Sequence, residues 1–345
     1  MALKHVDEVT PEVVILESFT NALYGGGHTW GWGRGWSADL HMALQWAHIQ
    51  PGICYEEQLL RGDYDDGKVK VLILPSLRVL SDKLLNKIRE LQGKGIYIMG
   101  DENLNISLLP DFRINSFSNT RLTAAQRKKA LQAIGIEIRN MLAPVLTPCM
   151  ASDCQDLILR RRMSGEAHYL FAVNDKREYG NYVGQWKKVM EKGLPLSADF
   201  TVGIPAAAAY DIVRHQLKSF SSEKGISKFS VDLKPGSGSI IVLLPRPVAG
   251  VSLNAPKAVK RGEDFCIEAF PSDKNGKSFK AVLPMAIQFI SNGKTLPGTG
   301  FYATDSSGKL VFRDTAALNM PRGKAIFRVK CLTSGLSTSK EIIID

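Results

Sequence analysis

Asp101 and Glu102 follow the apolar run Ile96–Met99, a placement from which a carboxylate can act as an acid or base. Open sheets of parallel strands bind ligands beyond the carboxyl ends of their strands, so this pair is the candidate catalytic site. The plainer reading is a turn whose acidic groups cap the next helix. A second candidate is the loop Tyr24-Gly25-Gly26-Gly27-His28-Thr29-Trp30-Gly31-Trp32-Gly33-Arg34-Gly35-Trp36, which holds three of the five tryptophans. Glycine lets the backbone approach a ligand closely, and indole faces stack on sugar C–H surfaces or bases. Trp30, Trp32, Trp36 and His28 are therefore candidate ligand contacts. The competing reading gives the tryptophans to an interface with a neighbouring domain or subunit. Neither phosphate-binding glycine signature fits this placement.

Metal chemistry has weaker support. Cys149 and Cys154 form a C-x4-C pair without a second pair, and five cysteines are too few and odd for a disulfide scaffold. His41 and His48, seven apart, would share a helix face two turns apart, too far for one ion without other ligands. Asn174-Asp175-Lys176-Arg177-Glu178-Tyr179-Gly180 offers a polar turn that fixes the following loop rather than holding calcium or a sugar. No metal and no cofactor is expected.

These residues must be positioned by elements whose period changes along the chain. Glu12–Glu17, Gly52–Glu56, Lys70–Leu74 and Ile96–Met99 read as strands, the longer of them continuous apolar runs of the buried type. Between them, Ser37–His48 and a helix capped by Ser81, with Leu84, Leu85, Ile88 and Leu91 on one stripe, have helical spacing. A further helix fits Thr123–Met141. This succession calls for a parallel, doubly wound sheet. After about Cys154 the period falls to two. Asp156–Met163 and His168–Val173 read as a hairpin around Ser164-Gly165-Glu166, and Phe229–Leu233 and Ser239–Leu244 as another around Pro235-Gly236-Ser237-Gly238. Beyond the prolines at 245, 247 and 256, alternating segments separated by Asn-Gly and Ser-Gly turns indicate a second sandwich. Cys266 and Cys331 fall on opposite phases of their strands, which argues against a bridge between them. The expected domains are 1–153, 154–254 and 255–345.

Composition narrows the classes. At 345 residues, 44% hydrophobic and 23% charged, the chain is neither disordered nor collagen nor coiled coil, and two or three domains are expected. The net charge of +10 is zero over 1–150, +4 over 151–254 and +6 over 255–345, a diffuse excess that fits solvated faces better than a nucleic-acid site. No window of about 18 apolar residues would cross a membrane. Acidic residues precede the first apolar run, and no signal-type cleavage site follows it. With Met1 as the natural start, a cytoplasmic protein is expected.

Residues 69–100, VKVLILPSLRVLSDKLLNKIRELQGKGIYIMG, resemble a stretch of the glutamine-amidotransferase-like domain. In family 42 β-galactosidases and related glycoside-hydrolase-like proteins, that domain follows the catalytic barrel and mediates trimerisation. Arg160-Arg161-Arg162 followed by Tyr169-Leu170-Phe171-Ala172-Val173-Asn174 resembles the first hairpin of the β-domain that comes next there. Val231–Gly236 followed by Ile240–Leu244 resembles its closing hairpin. The resemblance covers about 1–252, while 258–345 is generically similar to bacterial immunoglobulin-like modules. It implies an α/β flavodoxin-like, class I amidotransferase-like domain followed by two all-β sandwiches, the last Ig-like.

The resemblance also defines what is missing. Family 42 enzymes carry two catalytic glutamates on a (β/α)8 barrel of roughly 200 to 250 residues, and no such pair can be carried onto this chain. Amidotransferases place a cysteine nucleophile on the sharp turn after a strand. Here that turn reads Gly100-Asp101-Glu102-Asn103, with no H-x-E pair in the rest of the α/β region. The implied role is non-catalytic assembly and positioning, with glycan contact through the Gly/Trp loop. The implied partners are further copies of the chain, or a catalytic barrel domain or subunit, and carbohydrate. Two alternatives stand beside it: a hydrolase with an unrecognised carboxylate site at the sheet edge, and a carbohydrate-binding module. As part of a longer enzyme, the chain would belong to a glycoside hydrolase of β-galactosidase type, and a periplasmic or extracellular location would follow.

Overall fold

The computed structural model describes residues 2–25, 36–117, 122–183 and 188–345. It is mostly strand with few helices, and none of the described helices is long and apolar enough to cross a membrane. After β1 (Asp7–Glu8) come β2 (Val13–Glu17), α1 (Phe19–Tyr24), α2 (Ser37–Trp46), β3 (Pro51–Tyr55), α3 (Glu56–Arg61), β4 (Val71–Leu74), α4 (Asp82–Gly93), β5 (Tyr97–Gly100), β6 (Phe112–Arg113) and α5 (Ala124–Leu142). Strands β3-β2-β4-β5-β6 form one parallel sheet in that order.

The apolar runs are continuous because both faces of this sheet are covered. Val13, Ile15, Val71, Ile73 and Met99 pack with Leu40 and Leu44 of α2 and Ile138 and Leu142 of α5. The alternate residues Val14, Leu16, Leu72, Leu74 and Ile98 pack with Leu59 of α3 and Leu84, Ile88 and Leu91 of α4. Ser81 caps α4 by accepting from the Leu84 N–H at 3.3 Å, and Thr123 forms a capping box with Gln126 at the start of α5. Ser37 is the first residue of α2, whose N-cap is Trp36, without a side-chain bond. Helices α2 and α5 cross so closely that a Cβ at Gly135 would lie 2.2 Å from the Ala43 carbonyl oxygen.

The second unit contains β7 (Met150–Ser152), β8 (Leu157–Ser164), β9 (Ala167–Asn174), β10 (Arg177–Val183), β11 (Lys188–Gly193), β12 (Leu196–Val202), β13 (Ala208–Asp211), β14 (Gln216–Leu217), β15 (Ser221–Glu223), β16 (Ile226–Leu233) and β17 (Gly238–Leu244). Sheets β1-β8-β9-β17-β13-β14 and β15-β16-β12-β7 enclose Leu157, Leu159, Leu170, Phe200, Phe229 and Ile241, while β10 and β11 pair apart. The β8–β9 hairpin forms as expected, its turn carrying Gly165 at φ +52°. The second expected hairpin does not form. β16 pairs with β12 and β15, whereas β17 pairs with β9 and β13, so Pro235 and its neighbours carry the chain between sheets. Each strand has an apolar face, and facing each other across the sandwich buries both, which pairing side by side would not achieve alone. The Asn174 amide latches this arch, donating to the carbonyls of Lys234 at 2.9 Å and Leu194 at 2.7 Å. The Asn174 side-chain oxygen accepts from the Lys176 N–H at 2.9 Å, the hydrogen-bonded turn expected after β9.

The third unit contains β18 (Gly250–Asn254), β19 (Ala258–Val259), β20 (Asp264–Ser272), β21 (Pro284–Ser291), β22 (Lys294–Thr295), β23 (Gly300–Ala303), β24 (Leu310–Thr315), β25 (Gly323–Cys331) and β26 (Ser337–Ile344). Sheets β18-β20-β24 and β19-β26-β25-β21-β22, with β23 also on β21, pack around Phe265, Phe312 and the stacked pair Phe289 and Phe327, 3.9 Å apart. Cys266 is exposed and Cys331 buried, both as free thiols.

Two junctions join the units. Between the first and second, the Lys128 ammonium of α5 lies 2.8 Å from Asp156 and 2.9 Å from Asp175 and donates to the Asp175 carbonyl at 2.7 Å. The Trp46 indole N–H donates to Asp175 at 2.9 Å. Between the second and third, Val6, Tyr169, Tyr210, Val242, Phe279 and Leu283 form an apolar cluster. The Tyr169 hydroxyl donates to the Val282 carbonyl there, at 2.6 Å.

Candidate functional site

The carboxyl ends of β2, β3, β4 and β5 bring Glu17, Glu56, Ser76 and Asp101 to one edge of the parallel sheet. Asp101 is 2% exposed, and its carboxylate is fully engaged. One oxygen accepts from the Trp36 indole N–H at 2.8 Å and from the N–H and hydroxyl of Ser76 at 2.7 and 2.8 Å; the other accepts from the Asn103 N–H at 2.9 Å. Ser76 stands at φ +46°, a left-handed conformation costly for a non-glycine residue, and Asp101 holds it there. Four donors make Asp101 a fixed acceptor that ties three loops together.

Trp36, expected as a ligand contact, is buried among Val13, Ile73 and Met99 and presents no face to a ligand. Trp30, Trp32 and His28 lie outside the described residues. Glu102 accepts from the Ser116 N–H at 2.8 Å and from the Ser116 hydroxyl. Those bonds hold its carboxyl below the usual range against a small opposing effect of burial, so it stays ionised. The next described element after this pair is β6, not a helix. Asp101 and Glu102 fix the loop between β5 and β6 rather than capping a helix.

Where the strand order reverses, between β2 and β4, the crevice is occupied by the chain's own groups. Ser18 caps α1, and its hydroxyl donates to Glu56, which also accepts from the Thr20 hydroxyl at 3.0 Å. The Asn21 amide donates to the Ser76 carbonyl at 3.0 Å and accepts from the Arg78 and Val79 N–H groups at 2.9 and 3.1 Å. Glu17 differs. Burial pushes its carboxyl up, opposed by the Ser37 hydroxyl, and one of its oxygens has no partner among the described residues. Outside these bonds, α1 buries none of its side chains: Phe19 is 68% exposed, Leu23 57% and Tyr24 73%.

Sequence reasoning missed Glu17, Glu56 and Ser76. The available signal was position, since Glu17 ends the apolar run Val13–Leu16 and Ser76 follows the Leu74-Pro75 stop. The histidines also depart from expectation. Helix α2 ends at Trp46, and His48 lies past it at φ +60°, so His41 and His48 do not share a helix face. The His48 ring serves the first junction: Nδ1 accepts from the Ser152 N–H at 3.3 Å, and Nε2 donates to the Leu157 carbonyl at 3.1 Å. Burial pushes the ring below the usual range, assisted by Arg139. Beside it, Arg161 donates to the Cys149 sulfur at 3.0 Å in a small pocket also lined by Gln50 and Leu159, away from the carboxylate edge. Among the described residues, no three His, Cys, Asp or Glu side chains are grouped to hold a metal ion.

No protein-family model matches the chain, and no curated protein sequence does. Solved structures that resemble it include glycoside hydrolases at low identity, and a superoxide reductase from Ignicoccus hospitalis over 28% of this chain. One is alpha-L-fucosidase isoenzyme 2 from Paenibacillus thiaminolyticus, 12% identical, with 68% of this chain and 48% of that chain covered at a TM-score of 0.48. Another is a beta-galactosidase from Bacillus circulans sp. alkalophilus, at 11%, 68%, 41% and 0.41. A third is a beta-galactosidase from Rahnella sp. R3, at 9%, 68%, 41% and 0.42. The chain spans less than half the length of each of these three proteins.

Proposed function

We propose that the chain is the non-catalytic assembly and positioning part of a glycoside-hydrolase-like protein acting in carbohydrate metabolism. In this reading, 1–153 is an amidotransferase-like domain, 154–254 a β-sandwich and 255–345 an Ig-like sandwich. The strand order β3-β2-β4-β5-β6, second-first-third-fourth-fifth within its sheet, supports a flavodoxin-like class for the first.

The observation that carries the reading is the contrast at the sheet edge. The crevice that would receive a small ligand is filled by Asn21, Asp101 and Ser76, while the flanking Phe19, Leu23, Tyr24 and Tyr55 face outward. Exposed aromatics clustered at one edge suit a protein partner, either another copy or a catalytic barrel. Size-exclusion chromatography with light scattering tests it. An oligomer, or a complex with a family 42-type barrel, that weakens in a Phe19→Glu/Leu23→Glu variant is expected. A strict monomer at high concentration that also fails to bind the barrel would overturn the proposal.

One observation favours a hydrolase at the same edge: Glu17 combines a raised proton affinity with an oxygen that has no partner among the described residues, as suits a general acid. Turnover of nitrophenyl glycosides or esters that disappears in Glu17→Gln would replace the first reading with this one. Complete inactivity of the wild-type chain on both substrate classes removes it.

A further inference from the structure

We infer that the outer face of the larger sheet in the third unit is a binding surface for an anionic polysaccharide. The inference does not rest on the assembly reading, because this face lies in a different unit and its test reads binding rather than oligomeric state.

The registers fix what this face presents. Along β25, Ala325, Phe327 and Val329 point into the core, so Lys324, Ile326, Arg328 and Lys330 point outward. Pairing then sets three rows across four strands. Phe301 of β23 lies beside Ala286 of β21, which lies beside Lys330 of β25 and then Ser337 of β26. Gln288, Arg328 and Ser339 form the next row, and Ile290, Ile326 and Glu341 the third. Phe301 is 67% exposed, and Gln288, Arg328, Ser337 and Ser339 are exposed as well. Ala286 is small, so nothing in its row rises between the Phe301 ring and the Lys330 ammonium, two strand spacings or about 10 Å apart.

The chemistry of the face selects the occupant. Lys324 is paired with Glu341 at 3.0 Å, but Arg328 and Lys330 make no ion pair among the described residues. A second copy laid face to face would set these cations against each other. An exposed aromatic ring offers a stacking platform for the C–H face of a sugar. The unpaired guanidinium and ammonium suit carboxylate or sulfate groups, and the amide and two hydroxyls on the flanking strands suit ring hydroxyls. An exposed sheet face matches an extended polymer better than a small molecule.

Affinity electrophoresis of the whole chain through gels containing polygalacturonate, dextran sulfate or neutral dextran tests the inference. Parallel sedimentation with phosphatidylserine vesicles and gel shifts with duplex DNA complete the panel. Retardation by at least one anionic polysaccharide, absent with neutral dextran and weakened by added salt, is expected. An Arg328→Gln/Lys330→Gln variant should bind roughly tenfold or more weakly, and Phe301→Ala a few-fold more weakly. Unchanged thermal unfolding of these variants shows that the loss is local. No retardation by either polyanion, retardation unchanged in the variants, or equally strong binding to vesicles or DNA through the same residues would each overturn the inference.

Discussion

The two junctions of the molecule differ in what dominates them. The first closes around a buried ammonium, two carboxylates and an indole N–H, while the second closes around a larger cluster of aromatic and aliphatic side chains with a tyrosine hydroxyl at its centre, flanked by the Arg246–Asp273 ion pair at 2.8 Å. Apolar contact is non-directional and tolerates small shifts, so it joins two sandwiches firmly without fixing their chemistry. A hydrogen-bonded ionic cluster demands one geometry and suffers if any member is lost. The molecule thus has one junction in which apolar area dominates beside a flanking ion pair and one organised around a buried charge.

The largest effect that would break this contrast is expected at Phe279, fully buried at the second junction. Phe279→Ala should cost about 3–5 kcal/mol in chemical denaturation, through lost transfer energy and the cavity left behind. A cost below about 1 kcal/mol would show that the two sandwiches are held by their hydrogen bonds instead. Lys128→Ala should cost less, about 2–3 kcal/mol. It takes the ammonium from two carboxylates, but Asp175 keeps Arg177 and the Trp46 indole N–H, and Asp156 is 29% exposed and keeps the Gln132 amide. Trp46 lies against Lys128, with the ammonium 5.5 Å from its ring, so tryptophan fluorescence can report this loss at the first junction.

The smallest effect, and the one that sharpens the contrast most, is in pH. His48 is held below its ordinary value of 6.5 in the folded state by burial and by Arg139. Its contribution to stability is fully present above the unfolded value and is lost as pH falls below 6.5 toward the folded value. His41 and His168 are also lowered, mainly by burial, and add to the same slope. Urea midpoints should therefore fall between pH 7 and pH 5. His48→Asn, which keeps a residue tolerant of the left-handed conformation, should flatten that fall. An identical slope in the variant would mean that the first junction does not sense protons.

The sequence revealed elements more readily than their partners. Val71–Leu74 and the Leu84, Ile88, Leu91 stripe announce a buried strand and an amphipathic helix because their patterns are local. The route of β16 into β17 could not be read the same way, since a hairpin and an arch place the same alternation around the same Pro-Gly turn. The choice depends on Asn174, far back in the chain. At the candidate site, the Gly/Trp loop suggested that Trp36 faces outward, but the acceptor that draws it inward is Asp101, 65 residues away. Asp101 and Trp36 were each singled out, yet their bond converts a suspected acid and a suspected ligand platform into a single brace. Glu17 escaped notice because one carboxylate at a strand end gains its character only from burial.

The short strand β1 pairs Asp7 with Met163 and Glu8 with Arg162, so the second unit's larger sheet is completed by a segment that precedes the whole parallel sheet. During synthesis, the first unit can collapse as soon as α5 has emerged, but β1 must wait until residue 163 is available. Closing so long a loop adds little to the equilibrium cost, because closure entropy grows only logarithmically with length, but it delays this pairing relative to those of the parallel sheet. The two ion pairs that Glu8 makes with Arg160 and Arg162 then clasp the start of the chain to the second unit.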